Sequence, residues 1–159
     1  MSVPSADIIR EILGKLLILP NDTRWNAFFD ALEALLAAKA NLNDIMDALG
    51  FRRFTVPEIT FLEEYLCLTK PLAMCLDILQ GDSASLGMVL PTITKLKQFW
   101  EKKISEGSLT SCAVMAKFLL WDLNERTSEL FDDKDYILGK LVGYYYFMYL
   151  QYYSRYIIF

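Results

Sequence analysis

The chain has 159 residues and a net charge of −4; 54% of its residues are hydrophobic and 23% are charged. This length suits one domain with a buried core, and the hydrophobic content excludes an intrinsically disordered protein. The acidic balance argues against a general nucleic-acid binder, because such proteins draw most of their affinity from a basic surface, so any DNA contact is expected to be local.

The cysteines and the absence of histidine limit the chemistry. Without histidine the chain cannot form a His-ligated metal site or a His-based catalytic triad. Cys67, Cys75 and Cys112 form no CxxC pair, so we predict three buried free thiols in a reducing compartment, nuclear or cytoplasmic. The first residues lack the pattern of a signal peptide. No cofactor, bound metal or small-molecule substrate is expected.

Apolar residues at helical spacing predict a succession of α-helices from the start of the chain. The first covers residues 6–18, with Ser5 as its cap and Pro20 as its stop. A second apolar face follows over residues 25–36, and the same pattern continues until Gly50 ends it.

The middle of the chain also has apolar residues at helical spacing. Thr55 and Glu58 form a Thr-x-x-Glu capping box, which predicts the start of another helix. Pro71 lies inside this pattern and is expected to kink or split the helix after about residue 69. Gly81 is expected to close the second half.

Two further helices complete the predicted fold. Pro91 fits a first helical turn, and residues 106–108 break the helix that follows it. A long helix is then predicted from about residue 111 to 131. No segment before residue 135 alternates between apolar and polar residues in the way that a half-buried β-strand does. We therefore predict an all-α fold, an irregular bundle of about six helices.

The C-terminal segment differs from the rest. In residues 143–159, nine of seventeen residues are aromatic, and seven of these are tyrosine. Three interpretations of this segment remain open: a membrane anchor, a cap on the helical core, and a non-ancestral stretch translated from AT-rich DNA. The composition favours the third. The polar residues and phenols argue against a membrane partner. The predicted division is a helical domain over residues 1–141 and a tail over residues 142–159.

Three segments carry a resemblance to hAT-type DNA transposases. The first is the string Leu19-Pro20-Asn21-Asp22-Thr23-Arg24-Trp25-Asn26. The second comprises Leu68-Thr69-Lys70-Pro71-Leu72, Leu79-Gln80-Gly81-Asp82 and Leu90-Pro91-Thr92-Ile93, and the third is Leu130-Phe131-Asp132-Asp133-Lys134-Asp135-Tyr136-Ile137-Leu138. Their order and spacing together are more specific than any one segment, and they cover residues 18–141.

The resemblance implies a helical domain that is inserted in an RNase H-like nuclease core. In the family that core carries three acidic metal ligands. By this resemblance the chain begins after the first two and departs from the family at about Val142, before the third. We therefore expect a truncated chain that is not an enzyme.

The resemblance also points to candidate DNA-binding residues. The tryptophan of the family's signature handles flipped bases, so Trp25 would stack on an unpaired base, with Arg24 contacting a phosphate and Asn26 beside it. The alternative places Trp25 in the core and Arg24 in an ion pair. Arg52 and Arg53 are candidate phosphate contacts, although a solvated surface also explains them.

The acidic residues suggest structural roles. Asp132, Asp133 and Asp135 follow one predicted helix, and capping of the next helix explains them better than metal binding does. Asp44 and Asp47 are expected on a solvated helix face.

Three functions remain open from the sequence. The first is a non-catalytic fragment of a hAT-like transposase or of a domesticated derivative, with residual binding to transposon DNA ends. The second is a helical protein-interaction module that pairs with related transposase chains. The third is the product of a decayed element with no selected function.

Overall fold

A computed structural model of the chain describes residues 5–17, 27–82 and 84–141. Within these residues the fold is all-α and contains no β-strand, as the sequence predicts. It has seven α-helices rather than about six, because one more begins after residue 133. The helices are α1 (Ser5–Leu13), α2 (Ala27–Ala37), α3 (Leu42–Ala48), α4 (Val56–Gln80), α5 (Leu86–Glu106), α6 (Ala113–Thr127) and α7, described over residues 134–141, with 3₁₀ turns at Lys39–Asn41 and Glu129–Phe131.

The chain divides into two compact units. Unit 1 comprises Met1–Ala73 together with Leu109–Cys112, and unit 2 comprises Met74–Ser108 together with Ala113–Phe159. Among the described residues, unit 1 therefore contains α1 to α3 and most of α4. Unit 2 contains the end of α4 and the helices α5, α6 and α7.

The first helix of unit 1 is shorter than predicted. It ends at Leu13 instead of continuing to residue 18. Gly14 ends it, because this residue adopts a left-handed conformation with φ of 69° and its N–H bonds the carbonyl of Arg10 at 2.8 Å. Pro20, the predicted stop, lies outside the described residues. Ser5, the predicted cap, is already the first helical residue.

Gly50 ends α3 as predicted. Its φ is 72°, and its N–H bonds the carbonyl of Asp47 at 3.1 Å, while the N–H of Phe51 bonds the carbonyl of Met46 at 2.8 Å. This pair of bonds is a Schellman motif, which satisfies carbonyls that the helix itself leaves unbonded.

The capping box at the start of α4 is confirmed in its main feature. The Glu58 carboxylate accepts the backbone N–H of Thr55 at 2.8 Å, and the helix begins one residue after Thr55. The Thr55 hydroxyl also donates to Glu58, at 2.8 Å.

Pro71 does not split α4, so that prediction is wrong. The helix is continuous from Val56 to Gln80. An interior proline costs about 3 kcal/mol in helix formation. Here Leu68 and Ala73 lie on either side of it and are both buried, so the packing of this helical stretch offsets that loss. The Thr69 hydroxyl bonds the carbonyl of Tyr65 at 2.8 Å in the same turn.

Glu64 holds the segment just before α6 against α4 within unit 1. One carboxylate oxygen accepts the N–H and the hydroxyl of Thr110, at 2.8 and 2.6 Å, and the other accepts the N–H groups of Ser111 and Cys112, both at 2.8 Å. These hydrogen bonds, led by that of the Thr110 hydroxyl, lower the pKa of Glu64 to about 2. The carboxylate therefore organises three consecutive backbone N–H groups.

The core of unit 1 consists of small and aliphatic side chains. Two ion pairs, Lys39 with Glu63 and Lys70 with Glu33, each at 2.6 Å, lie on its exposed side, where each contributes little to stability. The buried residues are Ala27, Leu32, Ala38, Leu42, Ile45, Leu68, Ala73 and Cys112.

Helix α5 provides most of the core of unit 2. It begins at Leu86, directly after the extended residue Ser85. Pro91 is therefore its sixth residue and not in its first turn, so that prediction is wrong. The buried face runs through Leu90, Ile93, Leu96 and Trp100. Because Leu90 immediately precedes Pro91, burial of this turn outweighs the hydrogen bond that proline cannot make.

Helices α6 and α7 complete unit 2. Helix α6 packs against α5, and Lys97 of α5 places its ammonium 4.4 Å from the centre of the Phe131 ring. Gly139 of α7 lies so close to the start of α5 that a β-carbon there would be 3.1 Å from the backbone nitrogen of Gly87. The two glycines thus permit a close approach of the two helices.

Asp133 caps α7, as the sequence predicts. Its carboxylate accepts the N–H groups of Asp135 at 2.8 Å and of Tyr136 at 3.3 Å. Asp133 therefore has a structural role in starting the last described helix.

Candidate functional site

The outer face of α6 carries three large apolar side chains that no other part of the described chain covers. Val114 is 81% exposed, Phe118 is 58% exposed and Trp121 is 57% exposed. Successive members are four and three residues apart, so they lie on one side of the helix. We call this set the α6 stripe. Its two aromatic rings are in contact, with centroids 5.9 Å apart and planes at 40°.

The stripe exists because α6 is apolar on two sides. Its inner side, which includes the fully buried Ala116 and the buried Thr127, contributes to the core of unit 2. The α6 stripe lies on the opposite side and duplicates the same spacing of four and three. Single exposed apolar residues are ordinary, but a contiguous exposed patch usually marks an interaction surface.

Charged residues border the α6 stripe. Lys117 and Glu125 are exposed, and within the described residues neither forms an ion pair. Asp122, also at the border, is bonded to Arg126 at 2.8 Å along the helix. Lys117 therefore lies beside the stripe near its start, and Glu125 lies in line with it, one turn beyond Trp121.

A second apolar surface lies in unit 1. It is an open groove of about 320 Å³ at the first turns of α4, and its floor is mostly hydrocarbon. The carboxylate on its rim, Glu58, is already bonded to Arg52 and Thr55. The lining residues are Phe54, Pro57, Glu58, Phe61 and Leu62. The groove lacks the regular spacing of the α6 stripe.

The two candidate phosphate contacts, Arg52 and Arg53, are each bonded to a carboxylate. Arg52 donates to both oxygens of Glu58, at 3.0 and 2.6 Å. Arg53 donates to both oxygens of Asp47 through its Nε, at 2.8 and 2.9 Å, and also through a terminal nitrogen. A phosphate would have to displace these partners. The candidates therefore stay a prediction, with both guanidinium groups exposed.

These ion pairs also change the protonation of the carboxyl groups. Hydrogen bonds from Arg52 and from Thr55 lower the pKa of Glu58 to about 2, and the Arg53 guanidinium lowers the pKa of Asp47. Both carboxylates therefore stay charged throughout the neutral and mildly acidic range. Asp47 is accordingly not just a solvated residue, as predicted, but one side of an ion pair.

The remaining candidate DNA-binding residues, Arg24, Trp25 and Asn26, lie outside the described residues. Helix α2 begins at Ala27, immediately after them. The interpretations of the aromatic tail over residues 142–159 also concern residues outside the described part of the chain.

The cysteines differ from the prediction in one respect. All three are free, but Cys67 is exposed and only Cys112 is fully buried, with Cys75 half-buried. Cys67 is exposed because it points away from the packed side of α4 on which its neighbour Leu68 is buried. Burial raises the pKa of Cys75 and of Cys112, which is opposite to the shift that activates a nucleophilic thiol.

Metal-binding clusters and membrane-spanning helices are both absent from the described residues. No three cysteine or acidic side chains of this part of the chain lie together as they would to hold a metal ion. None of its helices combines the length and the hydropathy that crossing a bilayer requires.

No protein-family model, curated protein or solved structure shows a significant match to the chain. The α6 stripe and the three sequence segments are therefore the features of the chain that point to a function.

The sequence reasoning missed the α6 stripe. The sequence predicts a long helix over residues 111–131 but gives Val114, Phe118 and Trp121 no role. The signal was present as a second apolar set at helical spacing on a helix that needs only one such face for its core.

Proposed function

We propose that the chain is a non-catalytic helical module, derived from a hAT-like transposase, that acts by binding another protein through the α6 stripe. The observation that supports binding is the exposure of Val114, Phe118 and Trp121 as one contiguous set. An apolar helix face with spacings of three and four is the element that other proteins accept in a helix-binding groove or against a helix of their own. The transposase origin is supported by the three sequence segments alone.

Aromatic residues at the centre of such a face contribute most of the binding energy. Tryptophan is among the residues most enriched at interface hot spots, where truncation costs about 2 kcal/mol or more. Introducing a carboxylate there has a larger effect, because the charge would lose its water on binding. Trp121, which contacts Phe118 and is bordered by Lys117 and Glu125, is therefore the residue whose change is most informative.

Substitution of the stripe should abolish capture of a partner without unfolding the chain. We expect Val114→Glu and Trp121→Glu each to reduce retention of the partner from an extract of the source organism by about 30-fold or more. Retention is measured by quantitative mass spectrometry on the tagged full chain. Circular dichroism should stay unchanged, because glutamate is a good helix former at an exposed position.

The matched control is Val56→Glu. Val56 begins α4 in unit 1 and is 81% exposed, as Val114 is. The proposal is supported if the wild type and the Val56→Glu variant both retain a partner that Val114→Glu and Trp121→Glu both lose. Equal retention by all four proteins contradicts it, and an extract with no specific partner at all favours the product of a decayed element.

A second candidate function is binding to transposon DNA ends, and the Arg24-Trp25-Asn26 segment favours it. An indole that stacks on an unpaired base contributes about 1–3 kcal/mol. We expect weak binding in a gel-shift assay at low ionic strength, reduced about 5- to 150-fold in Trp25→Ala. Trp121→Ala is the control, since it removes an exposed indole elsewhere. Absence of any binding at low salt would remove this candidate.

A further inference from the structure

We infer that residues 109–112 form a strap that opens locally while the helices of unit 1 stay folded, and that the Glu64 carboxylate holds this strap closed. The closed strap covers the thiol of Cys112, so its opening controls access to that thiol. This conformational device lies in the connection between α5 and α6 and does not depend on the α6 stripe.

The path of the chain allows the strap to detach. Residues 109–112 belong to unit 1, whereas the residues on either side of them, Ser108 and Ala113, belong to unit 2. The strap is therefore held in unit 1 by non-covalent contacts. Segments attached in this way open with a smaller free energy than the helices on which they lie.

The polar contacts of the strap converge on one face of α4. The Glu64 carboxylate accepts the N–H groups of Thr110, Ser111 and Cys112, each at 2.8 Å, and the Thr110 hydroxyl at 2.6 Å. The Cys112 Sγ lies 3.8 Å from the carbonyl oxygen of Phe61, one turn earlier on α4. Hydrogen bonds to a carboxylate are about twice as strong as neutral ones, so Glu64 provides most of the polar attachment.

Apolar burial adds little to this attachment. Thr110 and Ser111 are exposed, and Leu109 is half-buried. Of the residues in the strap only Cys112 is fully buried, at 1% exposed. A segment that buries few apolar side chains is the kind that opens locally.

A glycine next to the strap is suited to act as its hinge. Gly107 ends α5 in a left-handed conformation with φ of 62°, and a β-carbon there would meet no atom within 4 Å. Glycine moves between left-handed and other conformations at little cost. The backbone before the strap can therefore change direction without a clash.

The closed strap keeps the Cys112 thiol unreactive. Burial, and to a smaller extent the charge of Glu64, raises the pKa of Cys112. Since the thiolate is the reactive form, the closed thiol is both shielded and protonated. Opening removes both causes, and Cys112 then reacts as an ordinary exposed cysteine does.

Alkylation of the full chain by iodoacetamide under native conditions tests the local opening. Mass spectrometry of the cysteine peptides gives a separate rate for each thiol. The exposed Cys67 should react fastest and Cys112 more slowly. As urea is raised to about 1 M, the Cys112 rate should change less than about 2-fold, because local opening exposes little surface, whereas a route through global unfolding would raise it about 5- to 150-fold.

Two results of this measurement would overturn the inference. One is a Cys112 rate that rises with urea as steeply as global unfolding requires, and the other is no reaction at Cys112 at all. A Cys112 that reacts as fast as Cys67 in the wild type would show that the strap is not closed.

Substitution of Glu64 tests what holds the strap closed. Glu64→Gln should raise the Cys112 rate about 10- to 100-fold. Cys75 of unit 2 should change by less than about 2-fold, since local opening does not reach it. Glu63→Gln is the control, because this adjacent residue forms an exposed ion pair with Lys39, and it should leave the Cys112 rate unchanged.

Thr110→Val provides a second measurement should Glu64→Gln fail to fold. It removes the hydroxyl that donates to Glu64 at 2.6 Å and keeps the shape of the side chain and the backbone N–H. The Cys112 rate should rise about 2- to 15-fold. A Cys112 rate that neither substitution raises would show that Glu64 does not hold the strap closed.

Discussion

Replacing Trp100 by alanine should lower the free energy of unfolding by about 3–5 kcal/mol. Trp100 is 1% exposed and is the largest of the fully buried side chains in the described chain. It continues the buried face of α5 below Leu90, Ile93 and Leu96. Its removal would leave a cavity that the neighbouring side chains cannot fill without moving, so both the lost burial and the cavity reduce stability. Urea unfolding measures the change.

Trp121→Ala is the matched control for this measurement. It removes the same side chain from the same unit, but from an exposed position, so the loss should be less than about 1 kcal/mol. Because Trp100→Ala is expected to be severely destabilised, Trp100→Phe provides a second measurement with a smaller loss, of about 1–2 kcal/mol. Equal losses in Trp100→Ala and Trp121→Ala would contradict the assignment of the two faces of unit 2.

Replacing Glu64 by glutamine should destabilise unit 1 by about 1.5–3 kcal/mol at neutral pH. The carboxylate accepts four hydrogen bonds from residues 110–112. The amide of glutamine has a single oxygen, and its NH₂ group would face N–H donors. The loss is measured by chemical unfolding at pH 7, with hydrogen exchange at residues 110–112 as the local readout.

The effect of Glu64→Gln should depend on pH in a defined direction. The folded chain lowers the pKa of Glu64 from 4.5 to about 2, so the unfolded state binds its proton first as the pH falls. The stabilisation is then fully present above about pH 4.5 and is lost as the pH falls toward 2. The stability difference between wild type and variant should therefore shrink across this range.

Glu63→Gln is the control for Glu64→Gln. Glu63 is the adjacent residue, but it forms only an exposed ion pair with Lys39 at 2.6 Å, so its loss should be under about 1 kcal/mol. A pH-independent difference for Glu64→Gln, or equal effects of the two substitutions, would show that the hydrogen bonds at residues 110–112 do not stabilise the fold.

Helix starts and stops with local chemistry were predictable. Helices begin or end at the positions that the sequence predicts from their local residues. These residues are Thr55 with Glu58, Asp133, Gly50 and Gly107. Each works through a backbone group within a few residues, or through a φ that glycine adopts readily. Short-range patterns of this kind carry the information in adjacent residues, so no knowledge of the tertiary fold is needed.

Prolines were not predictable in the same way. The sequence predicts a helix boundary at Pro71 and at Pro91, but both prolines lie inside continuous helices. Whether a proline ends a helix depends on whether the packing of the turns around it exceeds the lost hydrogen bond. Leu90, next to Pro91, is 2% exposed, and its helix packs against α6, a contact that the residues around Pro91 do not show.

The candidate site was only partly accessible to sequence reasoning. The pattern of the chain suggested Arg52 and Arg53 as phosphate contacts, whereas in the fold each guanidinium is bonded to a carboxylate six residues away. The network around Glu64 joins residues about forty-seven positions apart, and nothing local marks it. Such partners follow from the path of the chain and not from the residue types.

The sequence by itself determined the helical class, the helix ends that a glycine or a capping carboxylate marks, and the acidic character of the chain, because hydrophobic spacing, caps and charge are local or additive properties. Only the tertiary structure decided which apolar face of α6 is buried. Ala116 faces the core, while Val114, Phe118 and Trp121 stay exposed. Both faces have the same spacing, so the choice between them depends on where α5 lies against the helix, which is a property of the folded chain.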